Sequence, residues 1–200
     1  RNDLIKAVET ISQHISRQYE ALNQLDGKLG DGDIGITMKT GFQAALERSP
    51  DWPEDLGMAL MGFAKSFVEN RASSYGTILS TGLMAAAIYC KGKTELYTTD
   101  IPPILSTALD KMAQRGKSEL GQKTVLDAIY AAKIASETCE ATSFEELGIA
   151  IHQKVQEAVE EYTAKPNLQG RARIFGDKSI GIPDPGMQVF LEMILAVTSK

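Results

Sequence analysis

The sequence predicts an all-α protein, an antiparallel up-and-down bundle of about eight helices forming one domain over residues 1–200. Apolar residues recur at three- and four-residue steps along most of the chain, which is the spacing of one helix face. No segment alternates cleanly between apolar and polar, and few are rich in Val, Ile and Thr, so no substantial sheet is expected. The glycines gather between the periodic segments, at 27–35, Gly76, Gly116, Gly121 and 170–186.

The first helix follows from Leu4, Ile5, Val8, Ile11, Ile15, Tyr19, Leu22 and Leu25, with Asn2 or Asp3 available as its cap. A second starts near Gly35 and runs through Met38, Phe42, Ala45 and Leu46. Ser49-Pro50 ends it, because a residue before proline avoids helical geometry. Further helices are expected over 56–69, 77–91, 101–115, 124–138, 143–164 and 186–198. Asp100 and Ser143 read as N-caps, and Ser143 with Glu146 has the capping-box spacing. In such a bundle alternate loops share one end, so a site there draws on loops distant in sequence.

Composition narrows the function classes. Hydrophobic content of 43% and charged content of 24% are those of an ordinary globular protein. A net charge of -5 argues against nucleic acid or an anionic membrane as the main partner. Cys90 and Cys139 have no close metal or redox spacing and fit a reducing compartment, with the cytoplasm as the expectation and a single disulfide as the alternative. No apolar run approaches the ~18 residues of a membrane span. The first residues read as an amphipathic helix, not a signal peptide. The sequence opens at Arg1 without a methionine, as a trimmed or excised chain would.

The chemistry concentrates between the first two helices, in Leu25-Asp26-Gly27-Lys28-Leu29-Gly30-Asp31-Gly32-Asp33-Ile34-Gly35. Three carboxylates crowded on one loop repel one another unless a hard divalent cation lies between them, and oxygen ligands select Mg²⁺, Ca²⁺ or Mn²⁺ over zinc. The glycines permit positive φ and close backbone approach to a ligand. The loop runs into a helix, whose free N–H groups and dipole suit phosphate. A metal–nucleotide site is the reading that joins these features. Single Asp-Gly pairs are common surface turns, but this loop frames three acids with four glycines. An EF-hand starting at Asp31 would have Gly35 one place early and Phe42 where the bidentate acid belongs. The Walker and G-x-G-x-x-G phosphate loops are absent.

Leu25-Asp26 followed by Gly30-Asp31-Gly32-Asp33-x-Gly35 resembles the metal-binding loop of the dihydroxyacetone kinase nucleotide-binding (L) subunit family. Further motifs stand in that family's order: Arg115-Gly116-Lys117, Gly121-Gln122-Lys123-Thr124, Gly170-Arg171-Ala172, Gly176-Asp177-Lys178-Ser179-Ile180-Gly181 and Asp184-Pro185-Gly186. The resemblance covers essentially the whole chain and implies a helical bundle with the nucleotide at one end. It implies Asp26, Asp31 and Asp33 as Mg²⁺ ligands, and Ile34, Gly35, Ile36 and Thr37 beside the ADP or ATP phosphates. It further implies Ser73, Ser74, Gly116, Thr124 and Val125 lining the nucleotide, Arg171 as the catalytic phosphate-side cation, and Asp184, Pro185 and Gly186 closing the site. This division of labour suits phosphoryl transfer, which needs positioning and charge neutralisation more than covalent chemistry.

The sequence departs from the family pattern at Ile34, where histidine is usual, at Ala72-Ser73 and Tyr75, where glycines are usual, and at Gln122, where aspartate is usual. His14 and His152 lie outside every motif and read as packing or surface residues. The resemblance implies an incomplete phosphotransferase, with the ketose held on a separate K subunit. In one branch a phosphocarrier M subunit recharges bound ADP; in another the domain is fused to K and exchanges ATP. A homodimer or hetero-oligomer is expected. The rival reading is a non-catalytic module that uses a metal–nucleotide state to bind a partner protein.

Overall fold

The computed structural model describes residues 1–69 and 73–199. Among these, eight α-helices and three 3-10 segments occur, and no strand. The helices are α1 (Asn2–Asp26), α2 (Ile34–Arg48), α3 (Leu56–Glu69), α4 (Ser74–Tyr89), α5 (Ile101–Gly116), α6 (Val125–Thr138), α7 (Phe144–Thr163) and α8 (Pro185–Thr198). The 3-10 segments are Ser49–Asp51, Thr98–Asp100 and Arg171–Ser179, the last broken by a kink at Gly176, whose φ is 51°. Each helix packs on the next in the chain, and α8 returns to α1, so the bundle closes into a ring. The connections after α1, α5 and α7 and the start of α4 meet at one end, around a shared cavity. At the other end the α2–α3 and α4–α5 connections bond to each other, Leu56 N–H to Lys93 O and Gly92 N–H to Asp55 Oδ2. No helix among the described residues is long and apolar enough to cross a membrane.

Local chemistry sets most helix ends. Ser143 Oγ caps α7 by accepting from Glu146 N–H, while the Glu146 carboxylate accepts from Thr142. Pro50 follows the last residues of α2 and sits in a 3-10 turn. Two helices begin earlier than periodicity implies. α4 starts at Ser74 because Ser73 caps it, and α8 starts at Pro185 because Asp184 accepts from Met187 N–H. Proline at the first helical position lacks only a donor that would be unpaired there.

Two expected caps are corrected. Neither Asn2 nor Asp3 caps α1, which opens after Arg1 without a side-chain cap. Asp100 precedes α5 but makes no cap bond to it. Its carboxylate turns back instead to Lys93 Nζ at 2.7 Å, Tyr97 N–H at 2.9 Å and Tyr89 Oη–H at 3.2 Å. Pairing with a lysine joins two charged groups, whereas a cap bond has only one, so the pair outcompetes the cap.

The core divides between the two halves of the ring. In the α1–α4 half, Phe42, Phe63, Phe67 and Trp52 stack edge-on or tilted, with ring centroids 5.3–6.0 Å apart. Gly41 makes room for this cluster, since a Cβ there would lie 2.4 Å from the Phe67 ring. In the other half, Ala128, Ala131, Ala132 and Ala135 of α6 face Leu147, Ile151 and Val155 of α7. Small residues on α6 bring these helices close without bulky interdigitation.

Candidate functional site

The acidic loop is built by α1 ending and α2 beginning within a few residues. Asp26, the last residue of α1, sends Oδ2 across to Asp33 N–H at 2.9 Å and Ile34 N–H at 3.2 Å. It therefore caps α2 from the preceding helix. Asp33 occupies the N-cap position yet makes no capping bond. Gly30 is needed because a Cβ there would lie 2.6 Å from Asp26 Oδ1, and Gly32 has a φ of 74°. Leu29, 1% exposed, pins the loop to the core. In consequence Asp26, Asp31 and Asp33 each present a carboxylate oxygen within 4.8 Å of the others. Burial, and then the charges of Asp31 and Asp33, push the Asp26 carboxyl above the usual carboxylate range; two backbone N–H bonds partly offset this. A divalent cation among the three would reverse that balance.

The acids stand at the edge of a cavity of about 650 Å³. From α4, Ser73, Ser74, Tyr75, Thr77 and Ile78 reach it; from α5, Met112, Arg115 and Gly116; from α6, Thr124, Val125 and Leu126. The long α7–α8 connection adds Gln169, Gly170, Arg171 and Ala172, and the start of α8 adds Asp184, Pro185 and Gly186. Polar ties lock these loops together. Gln169 Nε2 donates to Gly116 O and Lys117 O, and Tyr75 Oη donates to Gly186 O. Thr124 and Asp127 form a reciprocal capping box at the start of α6. Asp127 also accepts from Gly121 N–H at 2.6 Å. Arg171 reaches over the mouth and pairs with Asp31. Asp184 is pushed up to about 6 by burial, against the bonds it accepts from Met187, Gly186 and Asn167.

Of the residues singled out in the sequence, Asp26, Asp31, Asp33, Ile34, Ser73, Ser74, Gly116, Thr124, Val125, Arg171, Asp184, Pro185 and Gly186 all line this one cavity. Gly35, Ile36 and Thr37 do not. Gly35 lies against α1, where a Cβ would come within 2.0 Å of Tyr19 O. Ile36 N–H donates to Asn23 Oδ1 and Thr37 N–H to Asp33 O, so neither backbone N–H is spare, whereas the buried Thr37 hydroxyl has no hydrogen-bond partner among the described residues. Ile34 is 5% exposed and packs in the aromatic half of the core while touching the cavity floor. Gln122 Oε1 accepts from Ser118 Oγ–H and Glu119 N–H, so its side chain shapes the turn after α5. Ala72 lies outside the described residues.

Sequence reasoning missed Tyr75 and Gln169, which line the cavity, and Lys123, Asn167 and Ser179, which support it from behind. Lys123 and Ser179 stand inside quoted motifs; nothing local marks Asn167 or Gln169.

The donor set is all carboxylate oxygen, which fits a hard divalent cation. The cavity wall beside it combines apolar side chains with hydroxyls and backbone amides at helix starts, a surface suited to a nucleotide-sized ligand.

The sequence model of the DAK2 domain family matches residues 28–199. The chain is 24% identical over 208 residues to the ADP-binding subunit DhaL of the PEP-dependent dihydroxyacetone kinase of Escherichia coli (strain K12), covering 100% of this chain and 98% of that one. It is 30% identical over 180 residues to the ADP-binding subunit DhaL of the PTS-dependent dihydroxyacetone kinase of Lactococcus lactis subsp. lactis (strain IL1403), covering 88% and 85%. The fold matches the dihydroxyacetone kinase of C. freundii, solved in complex with AMP-PNP and Mg²⁺, with a TM-score of 0.78 and 21% identity. That match takes in 99% of this chain and 34% of the longer one.

Proposed function

This chain belongs to the DAK2 domain family, and on that premise we propose that it is the nucleotide-binding part of a dihydroxyacetone kinase-type phosphotransferase. It binds ADP or ATP with Mg²⁺ and passes a phosphoryl group to dihydroxyacetone, or a related short-chain ketose, held on a separate K subunit. The observation that carries this reading is the convergence of Asp26, Asp31 and Asp33 at the edge of a nucleotide-sized cavity. The relatives named as ADP-binding subunits, matched over nearly their whole length, support a separate subunit recharged by a phosphocarrier M protein. The C. freundii enzyme, solved with AMP-PNP and Mg²⁺, supports the cofactor pair. The working assembly is a homodimer or a hetero-oligomer with K.

Asp26, Asp31 and Asp33 would hold the metal, which would neutralise charge on the phosphates. The chain's own residues do the rest. Ser73, Ser74, Gly116, Thr124 and Val125 orient the nucleotide, and Pro185 and Gly186 close the cavity beside it. Arg171, exposed at the mouth, is the mobile-length cation able to meet charge on a transferring phosphoryl group. Its present partner, Asp31, would be engaged by metal in the loaded site.

Mass spectrometry of the purified native protein asks whether ADP accompanies it. Mixing the protein with K subunit, ketose and either ATP or charged phosphocarrier then asks for turnover. Binding of K without turnover would replace this reading with that of a regulatory module.

A further inference from the structure

Residues 165–179 carry Gln169, Gly170 and Arg171 to the cavity, yet little apolar packing holds them there. Within this stretch only Asn167, Ala172 and Ser179 are buried, and Ile174 is 79% exposed. Polar bonds must therefore fix its course. The strongest come from one side chain on another loop. Lys123 is fully buried, which is rare for a lysine, and the Asp184 carboxylate supplies a favourable charge nearby. Its Nζ donates to Lys165 O at 2.8 Å and to Ser179 O at 2.9 Å, the two ends of the stretch. Asn167 adds a second layer. Its Nδ2 donates to Lys123 O at 3.0 Å and to Asp184 Oδ1 at 2.9 Å, and its N–H donates to Ser179 Oγ at 2.9 Å. Lys123 itself sits at a φ of 58°, a conformation that costs energy for a residue with a side chain and persists only when its surroundings impose it.

We propose that Lys123 is a positioning residue of this site. Its ammonium clamps both ends of residues 165–179 and thereby sets where Arg171 stands over the acidic loop. Lys123 is absent from the cavity lining, so it acts through Arg171 and not on the ligand. The proposal rests on the metal–nucleotide reading only for its ligand-binding arm; the clamp itself is a property of the free protein.

The test compares wild type, Lys123→Met, Arg171→Ala and the double variant. Hydrogen exchange on the ligand-free proteins comes first. Lys123→Met should lose amide protection across 165–181 while α1, α2 and α3 keep theirs; unchanged exchange across 165–181 overturns the clamp. Calorimetry with Mg-AMP-PNP follows. Lys123→Met should weaken binding about tenfold when Arg171 is present and hardly at all in the Arg171→Ala background, as expected of coupled residues. Equal losses in both backgrounds would make Lys123 a general stability residue and overturn the positioning role. If wild type fails to bind Mg-AMP-PNP, the metal–nucleotide reading falls, and the exchange result still decides the clamp. Should Lys123→Met not fold, Lys123→Gln takes its place in both measurements, because its shorter, neutral amide cannot bridge Lys165 O and Ser179 O as the ammonium does.

Discussion

Ile34 stands directly after a metal-candidate aspartate, yet its side chain is counted in the aromatic half of the core and is 5% exposed. Ile34→His would place a polar ring there without a partner. We expect a loss on the order of 1–3 kcal/mol, the range for an unsatisfied buried polar group. Thermal melts without nucleotide check this, and an unchanged melting temperature would mean that the ring reaches the cavity instead. Asp31→Asn works oppositely. Asp31 is exposed, so the helical circular-dichroism signal should hardly change while metal-dependent ADP binding is lost. Calorimetry with Mg-ADP measures it, and parental affinity would remove Asp31 from the metal site. Gly35 shows what one residue conceals in a sequence. It reads as part of a phosphate-approach loop, but its missing Cβ serves the α1–α2 crossing, 2.0 Å from Tyr19 O. Gly35→Ala should destabilise by about 1–3 kcal/mol through overpacking, as a denaturant titration would report.

Asp184 carries out two tasks at the start of α8, capping the helix and bordering the cavity, and its elevated carboxyl gives a pH signature. With a folded value of about 6 against an ordinary 3.8, the native state keeps this proton where the unfolded chain has released it. The stability contributed by the protonated form is present below pH 4 and is lost as pH rises through 6. Asp26 titrates in the same sense, so the comparison must be with Asp184→Asn. In that variant the fall in melting temperature between pH 4 and 6 should flatten; an identical slope would assign the proton elsewhere. At this scale the helices were legible because burying an apolar face imposes a 3.6-residue period wherever the helix lies. Caps were legible where the partner is three residues away, as at Ser143 and Glu146. They were misread where a distant charge competes, as Lys93 does for Asp100. The course of residues 165–179 left no periodic trace, because Lys123 holds its two ends across 42 and 56 residues of sequence.

Across the whole molecule, the site joins three connections and the start of α4, which the chain visits far apart, and closing the ring of helices is what brings them together. The acid loop and the motif residues could be picked out one by one in the sequence. Their meeting could be inferred only from the rule that alternate loops of an up-and-down bundle share an end. A ligand that touches several of these loops links their opening to global unfolding, so it should stabilise the entire bundle rather than one corner. For a ligand bound only by the folded state, a concentration one hundred times the dissociation constant adds about 2.7 kcal/mol. In a domain of this size that is worth roughly 5–10 °C in melting temperature. We therefore expect Mg-ADP to raise the melting temperature by several degrees at pH 7.5, and EDTA to abolish the shift. Metal ligands must shed their protons to bind. Because Asp26 holds its proton to higher pH than an ordinary carboxylate, the shift should shrink as pH falls into the acidic range. ADP with EDTA supplies the control: a shift as large without metal, or one that ignores pH, would mean that the three aspartates do not hold the cation on which the nucleotide depends.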